Sequence, residues 1–95
     1  MAYWSDSEDV ELAALTRYAG GFAGKRVLEV GCGRGRLTRR FAPQAAFVDA
    51  IDPHEEKIAA ARAHDIPPNV CYHVAALEEF PAPMPYDLVI LSWSL

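Results

Sequence analysis

Residues 26–41 read RVLEVGCGRGRLTRRF. A short apolar run, broken only by Glu29, ends in Gly31, Gly33 and Gly35 at alternate positions. A leucine and a phenylalanine then follow at helical spacing, among arginines. The first part reads as a buried strand and the last as a short helix burying Leu37 and Phe41. Three glycines between them let the chain turn sharply and let another group approach the backbone closely. A plain strand-to-helix turn rarely needs three. A helix that starts directly after a strand also points unpaired N–H groups and the positive end of its dipole outward. The stretch therefore reads as a ligand site at the end of a strand.

The flanking sequence repeats the pattern. AAFVDAID (45–52) is a second strand and PHEEKIAAARAH (53–64) a second crossover helix. Pro53 suits its first turn, Glu55 and Glu56 its positive end, and Arg62 and His64 its negative end. NVCYHVAAL (69–77) is a third strand and YDLVILSW (86–93) a fourth. Upstream, SDSEDVELAALTRYAGG (5–21) reads as a helix. Ser5 or Ser7 caps it, Leu12, Leu15 and Ala19 form its stripe, and Gly20 and Gly21 stop it. The alternation predicts one α/β domain over 1–95 with a Rossmann-like parallel sheet. Right-handed crossovers give the strand order 3-2-1-4, with helices mainly on one face. The return link EEFPAPMPYD (78–87) carries Pro81, Pro83 and Pro85 and forms no proper helix. The second face is then expected to be poorly covered, and strand four to leave an open edge. A homodimer through that face or that edge is the expected remedy.

Bulk properties exclude several classes. The chain has 95 residues, 52% apolar and 23% charged, an ordinary globular balance. A net charge of −4 argues against general nucleic-acid binding. No run is long and apolar enough to span a membrane, and the acidic start MAYWSDSEDVEL lacks the order of a signal peptide. Two cysteines, Cys32 and Cys71, give no disulfide framework and fit a reducing cytoplasm. Both read as packing residues rather than nucleophiles. No His, Cys, Asp or Glu spacing suggests a metal. His73, inside a strand, reads as a core or edge histidine. The arginines of 34–40 read as a solvated helix face, and Tyr3, Trp4 and Trp93 as packing residues.

The ligand follows from charge. A dinucleotide fingerprint would put its third glycine at position 36, where this chain has Arg36. Glu29, two residues before the first glycine, repels a pyrophosphate and attracts an ammonium group. Asp52, at the end of the second strand, is placed to accept the hydroxyls of a ribose, with helix capping before Pro53 as its main competing role. An amino acid at one end and a ribose at the other describe S-adenosylmethionine. VLEVGCGRGRL resembles the glycine-rich first motif of class I S-adenosylmethionine-dependent methyltransferases, DAIDPHEEKIAAAR their second, and YDLVILSWSL the strand opening their acceptor side. The resemblance covers about residues 25–95 in the right order. It implies that Glu29, Gly31, Cys32, Gly33 and Gly35 line the methionine end and that Asp52 holds the ribose. Pro53 and His54 would lie at the adenine edge, and Ser92 would face the methyl-transfer region. The family often carries an Asp after its third strand. This chain has Ala76 there, so backbone groups of Ala76 and Leu77 would read the adenine.

The expected function is thus the cofactor-binding portion of a methyltransferase, a truncated form of that fold with weak or absent methyl transfer in so short a chain. The alternative is a non-enzymatic, dimerising module on the same fold. A nicotinamide-dependent oxidoreductase half is disfavoured by Arg36 and Glu29, and an aminopropyl transferase shares the cofactor logic. No residue stands out as a catalytic base, and the acceptor cannot be read.

Overall fold

The structure, a computed structural model, describes residues 21–81 and 85–92. Strands β1 (Arg26–Val30), β2 (Phe47–Asp52), β3 (Val70–Val74) and β4 (Leu88–Leu91) form one sheet of order β3-β2-β1-β4, with every pair parallel. Helix α1 (Arg36–Phe41) follows β1 and helix α2 (Glu55–Ala63) follows β2. Single 3₁₀ turns occupy Ala42–Gln44 and Leu77–Glu79. The predicted helix over 5–21 lies outside the described residues, apart from Gly21, as do Tyr3, Trp4 and Trp93. Each described element is shorter than its sequence pattern. α2, for example, begins only at Glu55, because His54 is still extended.

The register sorts the side chains into rows. Leu88, Val27, Val48 and Val70 are neighbours across the sheet, and so are Ile90, Glu29, Ala50 and Tyr72. Both rows face the helices. Leu37 and Phe41 of α1 and Ile58 and Ala61 of α2 are buried in the same apolar cluster. Their spacing of three or four residues is what puts each pair on one stripe. Phe41 is fully buried and stacks on Phe22 with ring centroids 4.6 Å apart. Removing such a side chain from water contributes about 2–3 kcal/mol.

The alternate residues form the second face. Leu28, Val30 and Ile51 are buried there against Phe80, Tyr86, Val89 and Leu91. Phe80 and Tyr86 come from the return link, whose described residues form no helix beyond the one 3₁₀ turn. The link nevertheless covers more of this face than its prolines suggest, because two aromatic rings are broad enough to substitute for a helix over three strands. The large apolar side chains that stay exposed among the described residues are Ile66, Val74 and Leu77. Among the described residues β3 and β4 are the two edges of the sheet.

Candidate functional site

The turn after β1 is built by its own amides. Gly31 and Cys32 both donate N–H to the Ile51 carbonyl oxygen, at 2.8 and 3.0 Å, and Gly35 donates to that of Cys32 at 3.0 Å. Gly33 donates to Asp52 Oδ2 at 2.9 Å. These amides are spent within the chain, so the turn is no phosphate cradle. It is a tight bracket that fixes the end of β1 to the end of β2. Gly31, Gly33 and Gly35 all have positive φ. At Gly35 the reason is also steric, since a Cβ there would lie 2.5 Å from the Tyr72 hydroxyl. Gly35 thus serves packing against β3. The Tyr72 hydroxyl is buried beneath it, near Thr38, with no hydrogen-bond partner among the described residues. Burial pushes its pKa up.

Glu29 is completely buried under this turn. The Thr38 hydroxyl of α1 donates to Glu29 Oε1, and the Ser92 hydroxyl after β4 donates to Oε2 at 2.5 Å. A buried carboxylate needs such partners, because an unpaired one costs several kcal/mol. Ser92, expected beside the transferred methyl, therefore turns its hydroxyl inward to Glu29. Cys32 is buried in the same place. Burial first, then the charges of Glu29 and Asp52, push its thiol far above the ordinary range, which makes it an inert packing residue as expected.

Asp52, at the C-terminal end of β2, is also buried. Its Oδ1 accepts the His54 backbone N–H at 2.9 Å and lies 2.8 Å from His54 Nδ1. Burial alone would raise its pKa, but the hydrogen bonds from His54 and Gly33 outweigh it and hold the carboxyl below its ordinary value. A cavity of about 240 Å³ opens at the strand ends, lined by Val30, Gly31, Pro53, Ala75, Ala76, Leu77 and Glu78, with Asp52 itself not in its wall. The ends of β1, β2 and β3 meet there. Four residues singled out from the sequence, Gly31, Pro53, Ala76 and Leu77, share its wall. Val30, Ala75 and Glu78 join them and were not foreseen. Leu77 is half exposed at the rim, and the Ala76 N–H is taken by Glu79 Oε1 at 3.2 Å. Among the described residues no group of His, Cys, Asp and Glu is placed to hold a metal ion. No described helix is long and apolar enough to cross a membrane.

Sequence comparison agrees with the parallel 3-2-1-4 sheet, the glycine turn after β1 and the acid that closes β2. The family model described as a methyltransferase domain matches residues 27–95. The chain belongs to the class I S-adenosylmethionine-dependent methyltransferases. It is 45% identical over 64 residues to the ubiquinone biosynthesis O-methyltransferase of Aromatoleum aromaticum, covering 65% of this chain and 27% of that protein. It is 38% identical over 84 residues to the enzyme of the same name from Bordetella parapertussis, covering 84% of this chain and 35% of that one. A crystal structure from Listeria monocytogenes, assigned as an S-adenosylmethionine-dependent methyltransferase, superposes with a TM-score of 0.74 at 31% identity. That match covers 94% of this chain and 43% of the other. The chain thus spans about a third or less of the curated methyltransferases it matches.

Thr38, which holds the buried Glu29, is a further residue that sequence reasoning passed over. It had a signal: it stands three residues before Phe41, on the inward stripe of a short helix, where an isolated hydroxyl needs a partner.

Proposed function

We propose that the cavity and the glycine turn hold S-adenosylmethionine, and that the chain supplies the cofactor side of a methyl transfer. The observation that carries this is the meeting of Gly31, Pro53, Ala76 and Leu77 in one cavity, with Asp52 the residue that precedes Pro53 in the chain. The residues suit the group. Asp52 is an ionised acceptor for the ribose hydroxyls, and the Pro53, Ala76 and Leu77 surfaces are apolar enough for a purine. Gly31 and Gly33 put no side chain between the backbone and the methionine end. Glu29 sets a negative field beneath that turn, which favours an ammonium group over a phosphate. Gly35 and Ser92 support the site through Tyr72 and Glu29.

S-adenosylmethionine supplies a methyl group on a sulfonium, already activated for displacement. Much of the catalysis then lies in positioning the two reactants, and a base is needed only when the acceptor must lose a proton. We expect the 95-residue chain alone to transfer methyl weakly or not at all. Its short span against its relatives supports that reading. Its free thiols, Cys32 and Cys71, suit a reducing cytoplasm.

The test is calorimetry with S-adenosylhomocysteine. Saturable binding is expected, weakened by about 1.5–3 kcal/mol in Asp52→Ala, which removes a charged acceptor. Equal affinity in both proteins contradicts the assignment, and tighter binding of a reduced nicotinamide dinucleotide would favour an oxidoreductase half. A second reading, a dimerising module, draws support from the open edge of β4. Sedimentation at micromolar concentration separates the two. A dimer that binds no cofactor favours the module, and a monomer that binds it excludes the module.

A further inference from the structure

The strongest unexplained contact at the site is between His54 and Asp52. Asp52 is ionised, so the 2.8 Å contact requires His54 Nδ1 to carry the proton and donate it to Oδ1. The same oxygen accepts the His54 backbone N–H, and Oδ2 accepts Gly33 N–H. An ionised carboxylate offers about four lone-pair directions. Three are filled among the described residues. A ribose diol brings two donors, and only one direction remains for them. One of the present donors has to leave. The two backbone amides are fixed, one by the glycine bracket and one by the first turn of α2. The imidazole is not. Its side chain is 56% exposed, and it gives α2 no side-chain cap.

We propose that the His54 imidazole is a displaceable latch on Asp52: it fills the ribose-accepting position of the free protein and swings into solvent when the cofactor enters. This rests on the reading of Asp52 as the ribose acceptor. The latch keeps a buried carboxylate satisfied while the site is free, as unsatisfied buried acceptors are costly. It also sets the affinity, because every binding event must first break the imidazole contact. Ligand binding is then weaker than the pocket alone would allow.

His54→Ala and His54→Phe test this, both keeping the backbone N–H and the second also keeping a ring. Calorimetric titration with S-adenosylhomocysteine is expected to show both variants binding about three- to tenfold tighter than the unmodified chain, the worth of one competing hydrogen bond. In the ¹⁵N spectrum of the free protein the His54 ring is expected as the Nδ1–H tautomer. Saturation with S-adenosylhomocysteine should convert it to a solvent-exposed ring with that proton unprotected. Equal or weaker binding by both variants overturns the latch while leaving the ribose reading intact. So does an Nε2–H tautomer in the free protein. Failure of all three proteins to bind removes the ribose reading and the latch with it.

Discussion

The two faces of the sheet bury their side chains by different means. The helical face is a continuous apolar layer in which α1 and α2 supply the second wall, and its buried acid Glu29 is answered by hydroxyls of Thr38 and Ser92. The second face holds a smaller apolar group, and its buried acid, Asp49, organises the cover. Asp49 Oδ2 accepts the Tyr86 hydroxyl at 2.5 Å, and Oδ1 lies 2.8 Å from His73 Nε2. His73 in turn packs against Phe80, with ring centroids 4.9 Å apart. One carboxylate thus ties both ends of the return link to β2. Burial and that hydrogen bond push the Tyr86 phenol well above its ordinary pKa, so it remains a donor. The lesson is that regular helices cover by area, whereas an irregular link must be pinned by a few polar contacts. The proposed cofactor site lies where both solutions end, at the C-terminal tips of the strands.

That contrast can be broken first on the helical side. Phe41→Ala is expected to cost about 3–5 kcal/mol in chemical denaturation, because it removes a fully buried ring. Phe80→Ala, at a half-buried position, should cost clearly less. Equal costs would mean that the link is as continuous a wall as the helices. Next comes the pin. Asp49→Ala leaves the Tyr86 hydroxyl and His73 without their shared acceptor and should cost about 2–3 kcal/mol. A neutral result would show that the link is held by its aromatic rings alone.

Smaller effects sharpen the helical side. Gly35→Ala forces positive φ on a residue with a Cβ and drives that Cβ into the Tyr72 hydroxyl, for a loss of about 1–3 kcal/mol. Tyr72→Phe removes the obstructing oxygen, so the double variant should recover part of that loss. Purely additive costs would place the penalty in the backbone alone. The smallest effect is in pH. The Asp52 carboxyl is depressed in the folded chain, so its contribution is complete above the unfolded carboxylate value of about 4 and is lost as pH falls through the folded value. Asp52→Asn should therefore flatten the acid limb of a stability-against-pH curve below about pH 4, and an unchanged limb would count against the shift.

Much of this was legible in the sequence, and the reasons are specific. Strand order followed from apolar runs separated by crossovers, and the proposed site was read from Glu29, the glycine turn and Asp52, all local signals. Contacts set by the pleat were not legible. Asp49 and Ala50 are neighbours in sequence and face opposite sides, and only the register shows that Asp49 meets His73 and Tyr86 while Ala50 lies beside Tyr72. Ser92 reads as an acceptor-side residue because it ends a strand, yet it reaches back to a carboxylate 63 residues earlier. Among the described residues of the return link there is no α-helix, as its prolines led one to expect. Those prolines gave no hint that Phe80 and Tyr86 would cover the sheet without one.

The central claim is that the ligand site belongs to the strand tips and not to the second face. Amide chemical-shift mapping of the ¹⁵N-labelled chain with S-adenosylhomocysteine tests it directly. The largest changes are expected at Gly31 to Gly33, Asp52 to His54 and Ala75 to Leu77, with Asp49, Cys71 and Tyr86 nearly unmoved. Changes centred on Asp49, Cys71 and Tyr86, or none at all at saturating ligand, would contradict it.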